Sequence, residues 1–240
     1  MTRIRAVALR ELRSYFNSPI AYVFLLVFAG SALFTFFNVG AFFSRGLADL
    51  RPLFGAVPFL MVLLVPALTM RLWAEESKQG TFEVLMTLPA RDWELVVGKF
   101  VASWALLAGG LGLTLGLPFT VATLGDLDWG PVLGGYLGAV LLGGGYLAVG
   151  QFVSATTENQ ILAFILALVI CLGLYGVGLE AFAGLFPDRT STVLRAVGTG
   201  SRFESIARGV VDARDLIYYL SLTLFFLAAS VSALRVRRWA

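Results

Sequence analysis

The chain has 240 residues, of which 58% are hydrophobic and 14% charged, with a mean hydropathy of +0.85. Soluble domains are roughly 45–50% apolar and about 25% charged, so a water-soluble domain and a disordered chain are both excluded. The formal charge is +3 and histidine is absent, which removes His-ligated zinc, histidine general bases and Ser–His or Cys–His nucleophile pairs.

Residues 1–18 are amphipathic. Ile4, Val7, Ala8, Leu12 and Tyr15 fall at helical spacing, with Arg3, Arg10 and Arg13 off that stripe. A basic amphipathic helix lies in the membrane interface. It is not a secretory signal, because the apolar run that follows is too long for one. Six runs are long enough to cross a bilayer, each needing about 20 apolar residues. They cover 19–43, 52–73, 95–124, 131–153, 160–182 and 216–234. Pro58 and Pro66 inside the second predict a kinked helix packed within a bundle, where neighbours satisfy the freed carbonyls. Cys171 stands alone in the fifth, so no intrachain disulfide forms and the thiol reads as a small core hydrophobe. Trp73, Trp93, Trp129 and Trp239 mark span edges.

The spans carry almost no ionisable groups, with Glu180 coming closest at the outer end of the fifth. Ion-coupled carriers keep charges at that depth, so self-powered secondary transport is disfavoured. No internal repeat points to a doubled carrier either. The neutral residues Thr35, Asn38, Thr114 and Gln151 read as interhelical hydrogen-bond groups. Gly112 with Gly116, Gly130 with Gly134, and Gly134 with Gly138 form small-xxx-small pairs that let helix backbones approach.

Charge collects in the loop 74–94. The second span is expected to continue through Glu75 and Glu76, break at Gly80, and restart with Thr81 as cap and Glu83 in the first turn. Pro89 stops that short helix, and Val84, Leu85 and Leu88 give it an apolar face. Two readings follow: a helix that docks on a cytosolic partner, or a charged turn that anchors topology. Catalytic and metal sites are expected to be absent. The pair Glu75–Glu76 lacks the histidines an intramembrane protease needs, and Gly98–Lys99 is followed by Phe100 without an upstream P-loop glycine. The loop 184–215 holds five arginines, from Arg189 to Arg214, which face headgroups and solvent or an anionic substrate. With the N-terminus inside, eleven of the eighteen basic residues fall on the inner side, as the positive-inside rule requires.

The run Pro66-Ala67-Leu68-Thr69-Met70-Arg71, then Ala74-Glu75-Glu76, Gly80-Thr81-Phe82-Glu83-Val84-Leu85, Leu88-Pro89 and Gly98-Lys99 resembles the ABC-2 type transporter permeases. Within them it is most similar to the gliding-motility-associated permease subunits. Ser18-Pro19-Ile20-Ala21-Tyr22 and Gly209-Val210-Val211-Asp212 extend the likeness over the whole chain. The resemblance implies one all-α polytopic domain with six transmembrane helices and an N-terminal interfacial helix. It further implies a cytoplasmic coupling helix between spans 2 and 3, and short outer membrane-dipping helices before span 6. Glu75, Glu76, Gly80, Thr81, Phe82, Glu83, Leu85, Leu88 and Pro89 would then meet an ABC ATPase, with Glu158 in a smaller second contact. The implied assembly has two ATPase copies carrying ATP and Mg, a second permease chain (identical or homologous), and a possible periplasmic-domain subunit. It lies in the bacterial inner membrane with both termini cytoplasmic, and it binds no nucleic acid. A rival reading is a mechanotransmission subunit that relays ATPase motion to a periplasmic partner without moving a substrate.

Overall fold

A computed structural model describes residues 2–81 and 90–238, and every element among them is a helix. Helix α1, Thr2–Asn17, ends where Ser18 turns extended and Pro19 opens α2, Pro19–Phe34. Proline suits that first helical position because its missing N–H has no intrahelical partner there. The first span continues through a π-helical turn, Thr35–Val39, and ends in α3, Phe42–Arg45. Helix α4, Arg51–Thr69, carries Pro58 and Pro66 in its interior and is followed by the short α5, Ala74–Lys78.

The third span is broken. Helix α6, Asp92–Leu113, gives way at Thr114 and Leu115 to α7, Gly116–Leu124. Thr114 Oγ1 donates to Leu111 O at 2.7 Å and lies 2.9 Å from Tyr136 Oη, so the break is tied to the next span. That span is α8, Trp129–Thr156, whose first turn is capped by Asp128 accepting from Gly130 N. Helix α9, Gln160–Val177, is capped by Asn159. Three short helices follow: α10, Glu180–Ala183; α11, Asp188–Val197; and α12, Thr199–Ala207. Helix α13, Ala213–Arg238, is the sixth span.

Among the described residues, six helical stretches are thus long and apolar enough to cross a membrane. Each overlaps one of the six sequence-derived runs, and the largest contraction is in the fifth, which stops at Val177 rather than 182, so that Glu180 begins α10 outside it. Helix α8 is the hub. In its most apolar stretch 72% of residues are buried, against 17% for α9 and 11% for α13, which present most of their surface outward. Glycines make this possible. A Cβ on Gly135 would sit 2.5 Å from the Phe54 ring of α4, and one on Gly145 would sit 3.0 Å from Leu222 of α13.

The segment before the last span re-enters the bundle. Thr199, at the start of α12, lies 2.8 Å from Tyr146 Oη of α8 and accepts from Tyr219 Oη through its carbonyl at 2.8 Å. Further along α12, Phe203 and Ile206 cover Gly138, and Gly209 reaches Gly130. Sixteen residues of α8 separate Tyr146 from Gly130, so at 1.5 Å per residue α12 begins roughly 24 Å along α8 from its N-terminal end. Gly112 and Gly116 have nothing within 4 Å of a Cβ position, and Gly130 meets its own cap, Asp128. Of these paired glycines, Gly134 and Gly138 are the ones where a Cβ would meet another element, and that element is α12 with the residues after it rather than another span. Of the four neutral polar residues, Thr114 and Gln151 bridge helices, Gln151 donating to Val96 O at 2.9 Å. Thr35 and Asn38 bond back within their own turn, to Ser31 O and Phe34 O.

Candidate functional site: a charged bracket below the second span

Helix α4 runs out at Thr69, and its last carbonyls and the first amides of α5 need partners. A single hydroxyl of α8 supplies them. Ser154 Oγ donates to Met70 O at 3.0 Å and accepts from Trp73 N at 3.0 Å and Ala74 N at 3.2 Å. The turn between the two helices is thereby fixed against the C-terminal end of α8. Leu72, Trp73 and Ala74 are fully enclosed there.

Lys99, two turns into α6, completes the fixing. Its ammonium donates to Leu72 O at 2.6 Å and to Glu76 Oε1 at 2.8 Å, and stands 3.5 Å from Glu11 Oε2. It also lies 4.7 Å from the centre of the Trp73 ring. The Lys99 side chain is 1% exposed, so it is tolerated only because a carbonyl, two carboxylates and an aromatic face surround it. The charge joins three elements: α1 through Glu11, α5 through Glu76, and α6 through Lys99 itself. A second link runs beside it, since Tyr15 Oη lies 3.0 Å from Ser103 Oγ, which donates to Lys99 O. Burial, with Glu11 adding to it, pushes the Tyr15 phenol well above its ordinary range, so it stays protonated.

The remaining charges close the bracket. Arg71 Nε donates to Glu75 Oε2 at 2.6 Å, and Gln79 donates to Glu75 Oε1 at 3.2 Å. Arg237, near the end of α13, donates to Ser77 Oγ, Ala155 O and Glu158 Oε1 at 3.0, 3.3 and 3.1 Å. Arg235 pairs with Asp92, and Arg3 with Glu94, at the start of α6. A cavity of about 520 Å³ opens between α1 and the α4–α5 turn, walled by both signs of charge.

The structure thus brings Glu75, Glu76, Thr81 and Glu158 to one end of the bundle, each with a partner in this chain. Thr81 Oγ1 donates to Glu76 O at 3.2 Å. Gly80 adopts φ +68°, a left-handed conformation that a side chain disfavours. Phe82, Glu83, Leu85, Leu88 and Pro89 lie outside the described residues. Lys99, Glu11 and Arg237 carry no site role in the sequence analysis. Lys99 falls inside the predicted span 95–124, which corrects the picture of spans nearly free of ionisable groups. An enclosed cation within an otherwise apolar helix is the signal that marks it. At the opposite end, three of the five loop arginines are occupied internally. Arg195 pairs with Glu180, Arg202 with Asp215, and Arg208 with Glu204 O.

A family model of the ABC-2 family transporter proteins matches residues 7–190. That is well over half the chain, and the chain belongs to this family. ABC-2 permeases are the membrane components of ABC transporters; they are not themselves the ATPases, and they act with an ABC ATPase subunit. No curated protein matches the chain.

Proposed function

We propose that this chain is the transmembrane permease subunit of a bacterial inner-membrane ABC exporter, and that the charged bracket receives the motion of a separate ATPase. ATP and Mg belong to that ATPase, which pairs two copies beneath two permease chains. Its motifs resemble those of the gliding-motility-associated permeases, and a subunit of that kind is the form proposed. The observation that carries the reading is the convergence at α5. Helices α6, α8 and α13 hydrogen-bond to the short segment that leads directly into residues 82–89, and α1 pairs with it through Arg10 and Glu76. A push on 82–89 is then delivered to four helices at once rather than absorbed by a loose loop. Leu85 and Leu88 supply the apolar contact with the ATPase, each buried leucine contributing roughly 1.5–3 kcal/mol. The acidic group Glu83 contributes less, since ion pairs at a solvated surface give about 0–1 kcal/mol.

The test is co-purification of the ATPase, expressed alongside, with detergent-solubilised variants. Leu85→Ala combined with Leu88→Ala is expected to weaken association by about tenfold or more, while Glu83→Ala changes it little and membrane expression is unchanged. Undiminished ATPase recovery with the double leucine variant overturns the assignment and leaves the segment as a topology anchor.

A further inference from the structure

Directly beside the charged cavity lies a second, apolar one. It is a groove of about 260 Å³ between the first two spans, walled by Pro19, Val23 and Val27 of α2 and by Leu64, Ala67 and Leu68 of α4. The two spaces are lined by residues that adjoin one another at the start of α2 and the end of α4. Ser18 lines the charged cavity and Pro19 the groove; Leu68 lines the groove and Leu72 the cavity. The charged volume therefore adjoins the apolar one where the interfacial helix becomes the first span, which is the level of the membrane surface. Val23 is 58% exposed and Val27 38%, so the groove opens sideways, towards the bilayer.

We propose that the chain holds one zwitterionic phospholipid from the leaflet facing its termini, with the head in the charged cavity and an acyl chain in the groove. A soluble ligand would leave the groove unused, and a protein helix laid in the groove would bring nothing to the cavity. An amphiphile of that leaflet fills both. The charge balance selects its head. Arg10, Arg71 and Lys99 face Glu11, Glu75 and Glu76 around the cavity, so neither sign prevails. Arg10 is half exposed and stands 3.9 Å from Glu76, beyond hydrogen-bond distance, which leaves its guanidinium donors for a phosphate. The carboxylate of Glu11 on the same wall suits a primary ammonium. Phosphatidylethanolamine meets both demands, whereas phosphatidylglycerol offers the phosphate alone. This inference stands independently of the ATPase contact.

The full chain, purified in mild detergent, is to be weighed by native mass spectrometry after exchange with equimolar phosphatidylethanolamine and phosphatidylglycerol. The expected result is one retained phospholipid per chain, with phosphatidylethanolamine in excess. Ala67→Trp, which fills the groove, and Arg10→Gln, which removes the phosphate donor, should each lower the retained fraction about tenfold. Leu224→Trp, on the 66% exposed face of the last span, should leave it unchanged. Glycerophosphoethanolamine, the head without tails, should not displace the lipid. Arg10 lies on an exposed helix face, so its variant decides the matter if Ala67→Trp does not fold. Unchanged retention in Arg10→Gln overturns the proposal, as does equal retention of phosphatidylglycerol or displacement by the tail-less head. If Ala67→Trp splits a dimer with lipid retention unaltered, the groove is a seam between copies and the lipid assignment fails.

Discussion

Replacing Lys99 by methionine would leave Glu11 and Glu76 in one enclosed site without the cation that both address. Their side chains are 14% and 20% exposed, so water recovers little of the lost interaction. Breaking a buried pair on one side costs about 3–5 kcal/mol, whereas replacing both partners is close to neutral. Lys99→Met should therefore lower the thermal unfolding midpoint markedly, and adding Glu76→Gln should restore most of it. The check is a double-mutant cycle on the detergent-purified chain, followed by circular dichroism. An additive pair of losses would mean that the two side chains do not depend on one another. This residue also shows what a linear reading misses. Composition and the positive-inside rule assign Lys99 to a side of the membrane, but they do not say whether its head reaches water. Its burial arises from α1 folding back onto α6, where a Cβ on Gly98 would meet Val7. That contact joins residues far apart in sequence, so no local pattern announces it.

Helix α8 shows how far spacing goes at the scale of an element. Small residues four apart mark places where something comes close, but the identity of the visitor is tertiary information. Five glycines stand out by that spacing. Gly134 and Gly138 receive the re-entrant α12, while a side chain at Gly112 or Gly116 would meet nothing within 4 Å. At Gly134 a Cβ would overlap the Ile206 carbonyl, which is backbone and cannot swing aside. Overpacking of this kind typically costs about 1–3 kcal/mol, and more where backbone must move. Gly134→Leu is thus expected to reduce folded yield and lower the unfolding midpoint, whereas Gly112→Leu should behave as the parent chain. Size-exclusion profiles of the fluorescently tagged variants in detergent provide the measurement. Equal profiles for the two variants would place α12 elsewhere than against α8. The backbone crossing of α9 and α12 follows the same logic, since a Cβ on Gly178 would lie 3.0 Å from Gly198 Cα.

For the whole molecule, the six spans are legible because hydrocarbon admits only segments whose backbone groups are satisfied within a helix, and such helices need long apolar runs. What apolarity does not record is where a span is interrupted. The π turn at 35–39, the break at Thr114–Leu115 and the early stop at Val177 all fall inside hydrophobic sequence. The bracket joins the N-terminal helix, the second and fourth span ends, the third span start and the C-terminal Arg237, so both termini and the loop after α5 share one end. That end carries eleven of the eighteen basic residues by sequence position, which predicts that it faces the cytoplasm. Single cysteines in a Cys171→Ala background test this. Cys171 is fully buried, so the change removes a background thiol at the cost of one small core side chain. Cysteines at Asp126 and Arg189, in the exposed connections of the opposite end, should react with a membrane-impermeant maleimide in intact cells. Cysteines at Arg13 and Lys78 should react only after the membrane is opened. Labelling at Lys78 in intact cells would invert the orientation. The bracket would then face away from the ATP-containing compartment, and its role as the receiver of ATPase motion would fall with the topology.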